Sequence, residues 1–137
     1  MPRMRPIAFA LIVACAGCAA QPSAVATIAV PNDDLSRARI GETVTVGGPK
    51  VTVLEVLEDS RCPMNARCVW AGRVRVRARI DLGSGSQTRE LTQGEPASFA
   101  DGTLELVEVL PDRIAGENAR PISPADYRFG FRFMGGL

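Results

Sequence analysis

The stretch "LEDSRCPMNARCVWAG" (57–72) concentrates the side chains that could do chemistry. It holds the thiols of Cys62 and Cys68, a proline beside the first, and the chain's only tryptophan, Trp70. A structural zinc site needs four Cys, His or carboxylate ligands. The chain has no histidine, and its other two cysteines, Cys15 and Cys18, lie near the N-terminus, so a closed metal site lacks donors. A redox dithiol favours C-x-x-C at a helix N-terminus, where the dipole lowers a thiol pKa. Here five residues separate the thiols, and strand-like segments flank them. A structural disulfide fits best, and it needs an oxidising compartment. Closing so short a loop stabilises a fold by about 2–2.5 kcal/mol on chain-entropy grounds.

The N-terminus supplies that compartment. "MPRMRPIAFALIVACAGCAA" opens with Arg3 and Arg5, runs apolar from Ile7 to Ala14 and ends in small residues, the pattern of a secretory signal. The run falls short of the roughly 20 residues that span a bilayer. "LIVAC" resembles the bacterial lipobox, which implies acylation of Cys15, or alternatively of Cys18, as the mature N-terminus. More than one acyl chain gives stable anchoring. Alanine after either cysteine, where aspartate would resemble inner-membrane retention, implies the outer membrane with the domain facing the periplasm. The expected division is a signal peptide over 1–14, a flexible tether over 15–39 and a β domain over 40–137. Some 20 flexible residues span on the order of 25 Å.

"EDSRCPMNARCVWAG" (58–72) also resembles a signature of a group of small secreted or lipid-anchored bacterial proteins: Asp-Ser-Arg-Cys-Pro, four residues, Cys, one residue, Trp-Ala-Gly. The resemblance supports export and the disulfide, and transfers no catalytic or binding residue. Trp70 is expected to pack over the disulfide or cap the end of the domain, its indole N–H partnered; the sharper alternative is a ligand platform. Asp59-Ser60-Arg61 reads as a hydrogen-bonded corner. Its alternative is an exposed recognition surface built from Asp59, Arg61, Arg67 and Trp70.

The elements that must position these residues have a period of two. "ETVTV" (42–46), "KVTVLEVLE" (50–58), "RVRVRARI" (73–80), "QTREL" (87–91), "ASF", "LELVEVL" (104–110) and "YRFGFRFM" (127–134) alternate between turn signals such as "DLGSGS" and "ADGT". Six or seven short strands predict an all-β fold, a small antiparallel barrel or sandwich. "VTVLEVLED" (51–59) is echoed by "LELVEVLPD" (104–112) at an offset of 53 residues, which suggests two related three-strand halves.

"RVRVRARI" places Arg73, Arg75, Arg77 and Arg79 on one strand face, about 6.8 Å apart. The row could clamp an anionic envelope polymer, or it could pair with Glu55, Glu90, Glu105 and Glu108 on neighbouring strands; pairing is the expectation. Removing Arg3 and Arg5 with the signal leaves 14 basic against 15 acidic residues, so no global basic field favours nucleic acid. Without histidine the commonest general base is missing. No motif asks for a metal or cofactor. The function expected is a non-enzymatic envelope lipoprotein domain that binds a partner, an envelope protein or an anionic polymer. The alternatives are a small-ligand carrier barrel and, further off, a hydrolase using carboxylates such as Glu55 and Glu108.

Overall fold

A computed structural model describes residues 33–99 and 101–135. The expected signal peptide over 1–14, both candidate lipidation cysteines Cys15 and Cys18, and the expected tether up to residue 32 lie outside the described residues. Alternating sequence becomes eight antiparallel strands in two four-stranded sheets. One sheet has the order β2 (Thr43–Thr45), β3 (Lys50–Asp59), β4 (Val74–Asp81), β5 (Ser86–Thr92). The other has the order β1 (Ser36–Ala38), β8 (Arg128–Gly135), β7 (Gly102–Leu110), β6 (Ala97–Phe99). The sheets do not close into a barrel; they form a sandwich.

β4 shows why. Val74, Val76, Ala78 and Ile80 are fully buried on one face, while the arginines between them turn outward. Leu104, Leu106, Phe129 and Phe131 of the other sheet join them in one core. The space between the sheets is therefore occupied by side chains. Burying a valine, leucine, isoleucine or phenylalanine contributes about 1.5–3 kcal/mol, and these side chains fix which faces meet.

The echo at 51–59 and 104–112 has a structural counterpart. The register of β3 slips between Val53 and Glu55 against β4, and that of β7 slips between Leu106 and Glu108 against β8. Leu54 and Val107, the extra residues, are 53 positions apart. A bulge re-phases the alternation, so Val51 and Val53 are followed inward by Val56, and Leu104 and Leu106 by Val109. Each copy follows a short strand, leads into a long loop and returns as the next strand of its own sheet.

β1 is the strand that alternation did not reveal. Its three residues fall at the end of the segment read as tether, and they pair with Phe129–Phe131. Arg37 fastens it, binding Glu108 of β7 at 2.7 Å and also Asp33. β1 covers the free edge of β8, the place that β5 takes beside β4 in the other sheet.

Candidate functional site

Both long loops, 60–73 after β3 and 111–127 after β7, leave the C-terminal ends of matching strands, and hydrogen bonds join them. At their base sits Asp59, the last residue of β3. Its carboxylate accepts two bonds from the Arg61 guanidinium, each at 2.8 Å, and one from the Tyr127 hydroxyl at 2.8 Å. The Asp59 and Arg61 side chains are only 10% and 14% exposed. Arg61 also donates to the carbonyls of Val109 and Pro111, while Arg113 donates to those of Asp59 and Arg61. Two arginines thus satisfy four backbone acceptors where both strands end, a place where unpaired carbonyls would be costly.

The electrostatics follow from this closure. Burial works to raise the Asp59 pKa, but the Arg61 and Tyr127 hydrogen bonds outweigh it and hold the carboxyl below its ordinary value. Burial and the Asp59 carboxylate push the Tyr127 hydroxyl up to about 12. Hydrogen bonds to Asp59 raise the Arg61 guanidinium above its usual value. At neutral pH the trio is ion pair plus neutral phenol.

Above this base the cysteine loop is held at many points. Cys62 and Cys68 form a disulfide. The backbone N–H of Met64 donates to the Arg113 carbonyl at 2.9 Å, and that of Cys62 to the Ala71 carbonyl at 3.0 Å. Asn65 clasps Ala115 at both ends, its amide N–H on the carbonyl at 2.9 Å and its oxygen accepting from the N–H at 2.7 Å. Ser60 bonds both the N–H and the carbonyl of Arg73. Gly72 closes the loop at φ +69°, where a Cβ would come within 1.8 Å of the Ser60 carbonyl oxygen; no other residue fits there.

This held backbone presents apolar side chains to solvent. Trp70 is 81% exposed, Val69 90% and Met64 70%, with Ile114 half-exposed on the adjoining loop. The expectation that Trp70 packs over the disulfide or caps the domain is therefore corrected. Cys62–Cys68, Gly72 and the Ser60–Arg73 bonds turn the chain so that the indole points away from the core. Asp59 and Arg61 take the other side of their alternatives and form a hydrogen-bonded corner, with little surface left for recognition. Arg67 is exposed and makes no ion pair among the described residues.

The arginine row, Arg73 just before β4 and Arg75, Arg77 and Arg79 on it, is paired. Glu55 and Glu90 are partners as expected, but Glu58 and Asp81 stand in place of Glu105 and Glu108, which lie on β7 in the other sheet. Arg73 and Arg75 reach Glu58 at 3.0 and 3.4 Å, Arg75 also reaches Glu90, Arg77 reaches Glu55, and Arg79 reaches Asp81 at 3.6 Å. Glu55 and Glu108 do not form a carboxylate pair, since they lie in different sheets, on Arg77 and Arg37 respectively. Arg113, Asn65 and Tyr127 are the contributors to the loop end that sequence reading missed. The only available signal was the 53-residue echo, which places both loops at equivalent strand ends.

Set against known protein families, curated proteins and solved structures, the chain matches none.

Proposed function

We propose that this protein is a non-enzymatic, lipid-anchored domain of the bacterial cell envelope that binds a partner protein through the loop end of its sandwich. Acyl chains on Cys15, or alternatively Cys18, hold it at the outer membrane facing the periplasm. The observation that carries the binding role is the exposure of Trp70, Val69 and Met64 on a backbone fixed by a disulfide and a set of loop-to-loop hydrogen bonds. Tryptophan, methionine and arginine are enriched at protein interfaces, and tryptophan leads among residues that dominate binding energy. A pre-ordered loop loses little conformational freedom when it docks.

A protein partner is favoured over an anionic polymer because the β4 arginines already have carboxylates. The carrier reading asks for space between the sheets, which Phe129, Phe131 and the β4 valines occupy. The test is photo-crosslinking in intact envelopes, with the reactive residue placed at Trp70, at Arg67 or at Arg77. Adducts are expected from 70 and 67 and not from 77. Adducts from 77 alone would reject the loop end as the binding surface. Acyl labelling of wild type against Cys15→Ser and Cys18→Ser checks the anchor, and label surviving the double substitution would reject it.

A further inference from the structure

Behind the exposed tip, loop 111–127 leaves a cleft of about 320 Å³ over the end of the sandwich. Asp59, Arg113, Ile114, Arg120, Ile122 and Tyr127 are among the residues that line it. The Asp59 carboxylate is already occupied, accepting from the Arg61 guanidinium and backbone N–H and from the Tyr127 hydroxyl. Arg113 spends one terminal nitrogen on the Asp59 and Arg61 carbonyls, leaving its other N–H donors without a partner among the described residues. Arg120 makes no hydrogen bond or ion pair among the described residues. Two arginines with donors to spare therefore line the cleft together with two isoleucines and a carboxylate that Arg61 already neutralises.

We propose that this cleft binds a carboxylate-bearing ligand with a short apolar body, Arg113 and Arg120 holding the anion and Ile114 and Ile122 the apolar part. The volume is at the lower end of small-molecule sites, which suits a ligand of a few carbons or one residue of a peptide. Asp59 is balanced by Arg61, while Asp112 and Asp126 line the adjoining hollow that Arg113 and Arg120 share, so the local positive excess is small and a monoanion is favoured over a doubly charged phosphate. Guanidinium forks match carboxylate geometry. A larger hollow of about 470 Å³ at the opposite end is lined by Gly48, Gly83 and Gly85 with Lys50 and Asp81 together, and offers no such excess of donors.

This inference rests on the loop end being the binding surface and names what the cleft beside it selects. The test is an NMR titration of the isotope-labelled full chain in a zwitterionic detergent, with hexanoate, hexanamide and hexyl phosphate as probes. Hexanoate is expected to shift the amides of Ile114, Ile122 and Tyr127 with millimolar affinity, at least tenfold tighter than hexanamide and no weaker than hexyl phosphate. Arg120→Gln, which removes no hydrogen bond or ion pair among the described residues, is expected to weaken hexanoate fivefold or more and leave hexanamide unchanged. Equal binding of hexanoate and hexanamide, shifts confined to other residues, or indifference to Arg120→Gln would overturn the proposal. The two readings fail separately. Lost selectivity with crosslinking at Trp70 intact removes the anion cleft alone, whereas retained selectivity without crosslinks removes the protein partner and leaves the cleft standing.

Discussion

Arg61 and Arg77 are both bound to carboxylates, yet the two pairs do different things. Arg77 lies across from Glu55 on the outer face of β4, with both side chains about half exposed. Arg61 is largely covered, grips Asp59 with two nitrogens and closes the ends of β3 and β7 through backbone carbonyls. Water and salt weaken the first pair and side-chain entropy opposes it, so exposed pairs contribute about 0–1 kcal/mol. The second cannot be broken without leaving a covered carboxylate with only the Tyr127 hydroxyl as partner and no counter-charge, and the Val109 and Pro111 carbonyls without their donor. Burial and partner count, and not the number of arginines in a row, decide where charge shapes this molecule.

Arg61→Ala would break that contrast most forcefully. It is expected to destabilise the fold by about 3 kcal/mol, somewhat below the value for a fully buried pair because the corner keeps some solvent contact. Urea unfolding measures it, and a loss under 1 kcal/mol would put Arg61 in the same class as Arg77. Next comes the disulfide. Cys62→Ser with Cys68→Ser is expected to cost about 2 kcal/mol and to loosen the Trp70 loop while leaving the sheets intact, read by urea unfolding and far-UV circular dichroism.

The pH dependence sharpens the same point. Because the Asp59 pKa is lower folded than unfolded, its stabilisation is present above the unfolded value near 3.8 and is lost as pH falls through the lower, folded value. Tyr127 works in the other direction. Its contribution holds below pH 10 and is lost as pH rises toward about 12. Asp59→Asn should flatten the acid limb of a stability–pH curve, and an unchanged limb would place the linkage elsewhere. Arg77→Gln is the smallest effect, a loss of about 0.5 kcal/mol that fades in high salt.

Much of the scaffold was legible and little of the site was. β4 could be read residue by residue, since a central strand with one buried face obeys strict alternation, and its arginines fell where that pattern put them. The pairing of Cys62 with Cys68 followed from chemistry and spacing. The bulges at Leu54 and Val107 break the period of two, so they were hidden as local signals, although the echo already carried the apolar spacing 51, 53, 56 and 104, 106, 109. β1 has three residues and no pattern; its partner and the Arg37–Glu108 pair, 71 residues apart in sequence, place it. The loop end depends on contacts such as Asn65 with Ala115 and Asp59 with Tyr127, across 50 and 68 residues, which no local rule reaches. Trp70 was misplaced because bulk and apolarity argue for burial, while the turn imposed by Gly72 argues otherwise.

What remains central is that the Trp70 loop is exposed and yet ordered. Amide hydrogen exchange on the full chain measures this at single residues. Cys62 and Met64, whose N–H groups donate to Ala71 and Arg113, are predicted to exchange at least a hundredfold more slowly than Gly83 and Ser84 in the open turn between β4 and β5, and to lose that protection in Arg61→Ala. Exchange of Cys62 and Met64 as fast as the Gly83–Gly85 turn in the unmodified protein would contradict the account.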